Sequence, residues 1–248
     1  VQQLVQNPAY DLPFFIFRMI ALVQEIQSAL ENAKDPSRVE QMEAYMKNHF
    51  SFIGVMSGPR KAIFQQFKPQ LQQLSPEQFW ELINECWVNP YREVQYIGID
   101  YLLAFYKKNA QPSDGQHLTF ILSNQTWWDS LDLIATHSVG HYALQFPASF
   151  SELAQEWESS ANFWLHRTLL IHQLKFKQQT NLELLQYYIH TFKWNKEFFI
   201  QKAIGWSLRE VSKWNPDWVR QVVASENLSG LAQREICTNS LNPTTQFI

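Results

Sequence analysis

The chain has 248 residues, 46% of them apolar and 17% charged, with a formal net charge of -3. Such totals suit one globular domain or a continuous repeat array and exclude a disordered chain. They do not advertise a nucleic-acid binder, so the distribution of charge has to decide. Two cysteines, Cys86 and Cys237, lack paired spacing; they exclude a cysteine-based zinc site and a disulfide scaffold, and they make a reducing, cytoplasmic setting the expectation.

Chain order begins at Val1 rather than Met, which suggests a trimmed start. The first apolar segment, 14–23, comes after Pro13, is broken by Arg18 and falls short of the ~18 residues a membrane span needs, so neither anchor nor signal is expected. Apolar residues then recur at three- and four-residue spacing almost throughout, and alternation over a strand length is scarce. The spacing predicts helices over 14–33, 38–48, 58–67, 76–87, 93–108, 116–122, 127–142, 149–157, 161–174, 181–190, 196–211 and 216–224. Three starts carry a capping residue before Pro: "DPSR" at 35–38, "SPEQ" at 75–78 and "NPDW" at 215–218. Seven glycines include neither GxGxxG nor GxxxxGK[ST], which argues against nucleotide chemistry on a doubly wound sheet.

A slower regularity overlies the helices. Segments opening at Tyr91, Trp127, Asn162 and Glu197 start about 35 to 36 residues apart, each after a shorter helix, a little below the ~40–47 residues of HEAT units. The expectation is an all-α fold, a curved solenoid of HEAT-like antiparallel helical repeats with a concave face, built as one domain over 1–238 with a disordered tail at 239–248. The second helix of each pair would line that face. It would gather Arg92 and Glu93, then Trp128 and Asp132, then Trp164, Arg167 and Thr168, and finally Lys202, Trp206, Arg209 and Lys213. Trp128 and Asp132 are four residues apart, so an indole sits beside a carboxylate, a pairing that suits a cationic guest. Basic residues interleaved with aromatics suit a nucleic-acid backbone and its bases.

Plainer readings stand beside these. Trp127 or Trp128 can be core, Asp129 a first-turn acid, the Lys/Arg stripe a solvated face, and Glu25, Glu31, Glu40 and Glu43 solvated helix surface. His137 and His141 form HxxxH, but Gly140 lies between them and no HExxH glutamate accompanies them, so no metal is expected. Both cysteines read as buried thiols rather than nucleophiles.

The segments "MEAYMKNHFSFIGV" at 42–55, the arginine of "GPR" at 58–60, "REVQYIGIDYL" at 92–102, "WWDSLDLIA" at 127–135, "FWLHR" at 163–167 and "KAIGWSLRE" at 202–210 resemble the AlkD-like DNA alkylation repair family of HEAT-like DNA glycosylases. The resemblance runs from about Met42 to Arg220. It implies a solenoid that wraps duplex DNA and excises positively charged alkylated purines, chiefly 7-methylguanine and 3-methyladenine, without flipping the base into a pocket. It further implies no metal or organic cofactor, and a solenoid that encircles DNA needs no partner subunit, so a monomer is the expectation. Residue by residue, Asp132 matches the catalytic aspartate, Trp128 and Trp206 the two active-site tryptophans, and Arg167 the active-site arginine. Arg209 and Lys175 fall on DNA-backbone contacts and Tyr45 on a tyrosine near the duplex. Arg60, Lys202 and Lys213 complete the expected DNA-binding set. The chain departs from the pattern at Met56 and Ser57, where the resemblance implies a more polar pair, and Gly58 looks inserted.

The implied chemistry needs little acid catalysis, because a base alkylated on a ring nitrogen departs neutral. One ionised carboxylate then suffices to stabilise an oxocarbenium-like sugar and orient water. Two other readings compete: a non-catalytic module that binds damaged or branched DNA through the same basic face, and a scaffold array whose tryptophans only pack.

Overall fold

The computed structural model describes residues 8–237, with side chains over 18–237. Among these the regular secondary structure is helical, joined by turns and short loops, with one isolated parallel bridge between Ser51 and Tyr91. The all-α expectation is met. The fold divides between Ala110 and Gln111 into two compact units. The expected tail at 239–248 lies outside the described residues.

The first unit holds α1 (Pro8–Asn32), a 3-10 turn (Pro36–Arg38), α2 (Val39–Tyr45), α3 (Ser57–Leu71), α4 (Pro76–Val88) and α5 (Arg92–Asn109). α4 shows how sequence becomes structure here. Ser75 and Gln78 close a reciprocal capping box with Pro76 at the first turn, and Phe79, Trp80, Leu82, Ile83, Cys86 and Trp87 then bury one broad stripe. α5 lies against that stripe at Gly98, where a Cβ would stand 2.8 Å from Cys86 Cβ. The helix expected over 38–48 stops at Tyr45. Lys47 (φ 57°) and Asn48 (φ 58°) are left-handed, and Asn48 N–H closes on the Glu43 carbonyl at 2.8 Å, a six-residue closure that satisfies the helix end.

Arg92 and Glu93, expected on a binding face, are instead fully buried. The Glu93 carboxylate accepts the consecutive backbone N–H groups of Ile53, Gly54 and Val55 at 2.8 to 3.0 Å. The Arg92 guanidinium lies 3.8 Å from the centroid of the Phe50 ring and donates to Gln95 Oε1. Both hold the irregular 46–56 loop onto α5, because buried backbone donors need an acceptor that the loop itself does not provide.

The second unit holds a 3-10 turn (Pro112–Asp114), α6 (Gly115–Ser123), α7 (Trp128–Ile134), a π turn (Ala135–Val139), α8 (Gly140–Gln145), α9 (Pro147–Ser159), α10 (Phe163–Ile171), a 3-10 turn (Lys177–Gln179), α11 (Leu182–Phe192), α12 (Phe198–Ser212), α13 (Pro216–Glu226) and α14 (Gly230–Cys237). Asn162, Asn181 and Asn215 cap α10, α11 and α13 through their side-chain oxygens. α10 packs against α6, α7, α9, α11 and α12, and its buried Leu165, Leu169, Leu170 and Ile171 anchor the unit.

Two differences from the expected helices matter for the site. The single helix over 127–142 is three pieces: α7 gives way to the π turn, and α8 begins at Gly140, where a Cβ would meet the His172 carbonyl oxygen at 2.6 Å. α14 has no counterpart among the expected helices; it comes after Asn227 in the left-handed conformation (φ 48°) and packs on α12. Among the described residues no helix is long and apolar enough to cross a membrane, and no group of three or more His, Cys, Asp or Glu could hold a metal ion. Cys86 is buried as expected, while Cys237 is only half-buried.

Candidate active site

α7 starts from an extended Trp127, whose carbonyl accepts the Ser130 and Leu131 N–H groups. Its side chain turns inward: Trp127 meets Trp164 and Phe199 edge-on at 5.6 and 5.3 Å, and Trp164 packs on Phe199 at 4.9 Å. The next residue, Trp128, faces a cleft of about 350 Å³. Of the two tryptophans the first is therefore packing and the second lines the cleft. One helical turn on, Asp132 reaches the same cleft, and its own carbonyl accepts Thr136 Oγ1 at 2.7 Å where the π turn begins.

From α10, Arg167 meets Asp132 as a fork. Nε donates to Oδ1 and Nη2 to Oδ2, each at 2.9 Å, and Nη1 donates to the Phe199 carbonyl at 2.5 Å. The aromatic cluster thus fixes the carbonyl that helps fix the arginine. The Arg167 side chain is 5% exposed and that of Asp132 20%, so the carboxylate keeps an edge toward the cleft while the guanidinium is spent on holding it. Burial pushes the Asp132 carboxyl above the ordinary aspartate value; the neighbouring Arg167 pulls it back without cancelling the shift.

α12 supplies Trp206 to the cleft, with Lys202 and Arg209 on the same stripe. Three residues unforeseen in the sequence also line it: Phe198, half-exposed at the start of α12, its neighbour Phe199, and Glu235 of α14. Glu235 Oε1 accepts Arg209 Nη1 at 2.7 Å, and its Oε2 accepts Lys202 Nζ. Hydrogen bonds from Lys202 and Arg209 hold its carboxyl below the ordinary glutamate value although burial alone would raise it. The sequence offers one pointer to this residue: a glycine, Gly205, in the middle of an otherwise well-filled helix, which marks a close approach by another element.

The other expected site residues stand elsewhere. Thr168 is buried and donates to the Trp164 carbonyl, so of the Trp164, Arg167 and Thr168 face only Arg167 lines the cleft. Lys213 pairs with Glu210 at 2.6 Å and lines a separate hollow of about 300 Å³ with Lys177 and Trp214. Lys175 Nζ contacts His137 Nε2, whose Nδ1 lies 2.9 Å from the Leu133 carbonyl. Tyr45 and Arg60 belong to the first unit: Tyr45 is exposed, and Arg60 pairs with Asp100 at 3.4 Å beneath a cation–π contact to Tyr96. Volume does not single out the cleft, since a hollow beside α9 and α11 measures about 450 Å³. Its distinction is that two carboxylates, three cations and two indoles converge on it.

A family model described as DNA alkylation repair enzyme matches residues 26–239. The chain belongs to the DNA alkylation repair enzyme family. A solved structure described as a predicted DNA alkylation repair enzyme from Enterococcus faecalis is similar at 32% identity with a TM-score of 0.77, over 84% of this chain and 97% of that one. No curated protein matches the chain. For a DNA alkylation repair enzyme, the helical fold and the AlkD-like resemblance of the sequence agree, and the match runs through the segments that supply both Asp132 and Glu235.

Proposed function

We propose that the protein is a monofunctional DNA glycosylase that hydrolyses the N-glycosidic bond of cationic alkylated purines, 7-methylguanine and 3-methyladenine, in duplex DNA. The observation that carries this reading is the Asp132–Arg167 fork at 2.9 Å on both oxygens, set in a cleft with Trp128 and Trp206. A cationic base leaves as a neutral molecule, so the enzyme has to stabilise positive charge on the sugar and deliver water. The ionised Asp132 does the first electrostatically and orients the second through its cleft-facing edge. Arg167 fixes the carboxylate rotamer so that no reorganisation is needed as charge develops. The indole faces favour a cation by about 0.5–2 kcal/mol and stand beside the deoxyribose as it becomes one.

In this reading Lys202 and Arg209 take DNA phosphates at the cleft, and Tyr45, Arg60, Lys175 and Lys213 contact the duplex elsewhere. The base stays in or near the stack, no cofactor takes part, and the repair step belongs to base excision in a cytoplasmic, monomeric enzyme. No lysine attacks the sugar, so excision leaves the strand uncut.

Release of 7-methylguanine from methylated duplex DNA tests the reading, with Asp132→Asn as the comparison and duplex binding measured alongside. The expected result is release by the parent and a loss of about a hundredfold or more in the variant, with binding kept. A folded parent that binds DNA and releases nothing would leave a non-catalytic damage-binding module in its place.

A further inference from the structure

Gly205 shares the α12 stripe with Lys202, Trp206 and Arg209, and a side chain there has no room. A Cβ would stand 2.4 Å from Glu235 Cβ and 2.5 Å from the Ala232 carbonyl oxygen, both on α14. This notch seats α14 against α12 and carries Glu235 between the two cations. Arg209 Nη1 donates both to the carboxylate at 2.7 Å and to the Glu235 carbonyl at 3.0 Å, so one residue holds it twice. The Glu235 side chain is 9% exposed, against 18% for Arg209 and 37% for Lys202. The anion is the deepest member of the trio and the cations are its open side.

We propose that Glu235 is a positioning residue for DNA binding: from the α14 side it holds Lys202 and Arg209 as a preformed clamp for a backbone phosphate at the cleft. The inference rests on the reading of the cleft as a DNA site. Two cations against one carboxylate leave a positive charge in excess. Glu235 engages Arg209 only through Nη1, which leaves Nε–H and Nη2–H as donors for an incoming oxygen. Long side chains lose rotamer freedom when they bind, and fixing them beforehand removes that loss from the binding step. Glu235 stays ionised through neutral pH, since the hydrogen bonds that hold it outweigh its burial, so it is an anchor rather than a proton donor.

Charge counting alone predicts the reverse of this role. Removing a carboxylate from a cleft that takes phosphate should tighten DNA binding. The experiment compares the full chain with Glu235→Gln and Glu235→Ala on a duplex carrying one 7-methylguanine. It measures DNA dissociation constants across a salt series, the KM and kcat of base release, and thermal unfolding. The expected result is binding about tenfold weaker for both variants. The slope of log affinity against log salt should flatten by about one to two phosphate contacts. KM should rise about tenfold, with kcat falling no more than about threefold. Glu235→Gln keeps the side-chain shape and one acceptor for Arg209, so it tests the idea even where Glu235→Ala fails to fold. A purely structural role would lower the unfolding temperature and leave the salt slope in place; that outcome, or tighter binding by Glu235→Gln, overturns the proposal. Absence of DNA binding by the parent overturns the reading of the cleft itself, which keeps the two failures apart.

Discussion

Arg167 holds both oxygens of Asp132 at 2.9 Å while its third nitrogen is tied to the Phe199 carbonyl at 2.5 Å. Burial and the fork act in opposite directions on the ionisation of the proposed catalytic group. Burial raises the Asp132 pKa and Arg167 opposes the rise. The working form is the carboxylate, so base release should fall as pH drops through that raised pKa, at a higher pH than an exposed aspartate would give. In Arg167→Ala the opposing charge is gone and the acid limb should move further up. Single-turnover release against pH measures both, and an acid limb unmoved by Arg167→Ala would sink this account of the fork.

The two cleft indoles should be worth a modest, separable amount. Trp206→Ala and Trp128→Ala are each expected to slow release of 7-methylguanine by about two- to thirtyfold, the rate equivalent of the ~0.5–2 kcal/mol of a cation–π contact. Trp206→Phe should recover part of the loss, because a phenyl face retains some of the attraction. Release from a neutral lesion should gain nothing from Trp206→Phe over Trp206→Ala, because no cation forms on the base for the ring face to attract.

Glu93→Ala should destabilise the first unit by about 3–5 kcal/mol, since it strands three consecutive buried N–H groups, those of Ile53, Gly54 and Val55. Urea unfolding of the variant and the parent measures the difference. A change below about 1 kcal/mol would show that the loop finds other acceptors.

Gly140→Ala places a Cβ 2.6 Å from the His172 carbonyl oxygen, which is backbone and yields little. The expected cost is about 1–3 kcal/mol, read as a lowered unfolding temperature. Base release should slow as well, because the π turn it disturbs starts three residues after Asp132 and is pinned to the Asp132 carbonyl through Thr136.

Burial pushes the Cys86 thiol up to about 12, so it holds its proton at neutral pH. A thiol reagent at pH 8 should leave Cys86 unmodified in the folded protein and react with it once denaturant is added. Rapid native labelling at Cys86 would contradict the packing of α4 on α5.

Much of this architecture is legible in the sequence, for reasons that also explain the gaps. Helices with strong apolar stripes and named caps, such as α4 and α13, end within two residues of where periodicity places them. Spacing and family resemblance single out Trp128, Asp132, Arg167 and Trp206, and these do line one cleft. Arg92 and Glu93 are misplaced by the same reasoning because a charged pair at a helix start reads as surface. Only the fold reveals a loop whose amides need a buried carboxylate. α14 and Glu235 escape because "GLAQREIC" has just Ala232 and Ile236 as buried apolar residues, too few to signal a helix without the Gly205 notch that receives it.

The π turn at Ala135–Val139 closes on i→i+5 hydrogen bonds, so between α7 and α8 it holds one more residue than a regular α turn would. Upstream of it Trp128 and Asp132 keep their phase. Each added residue rotates the downstream helix by about 100°, so positions beyond the turn face a direction that plain four-residue counting assigns wrongly. The HxxxH pair at His137 and His141 begins inside this offset, which removes the geometric meaning of its spacing. A relative without the turn should align to this chain with a one-residue gap inside 135–139 and an unbroken match on the Trp128 side.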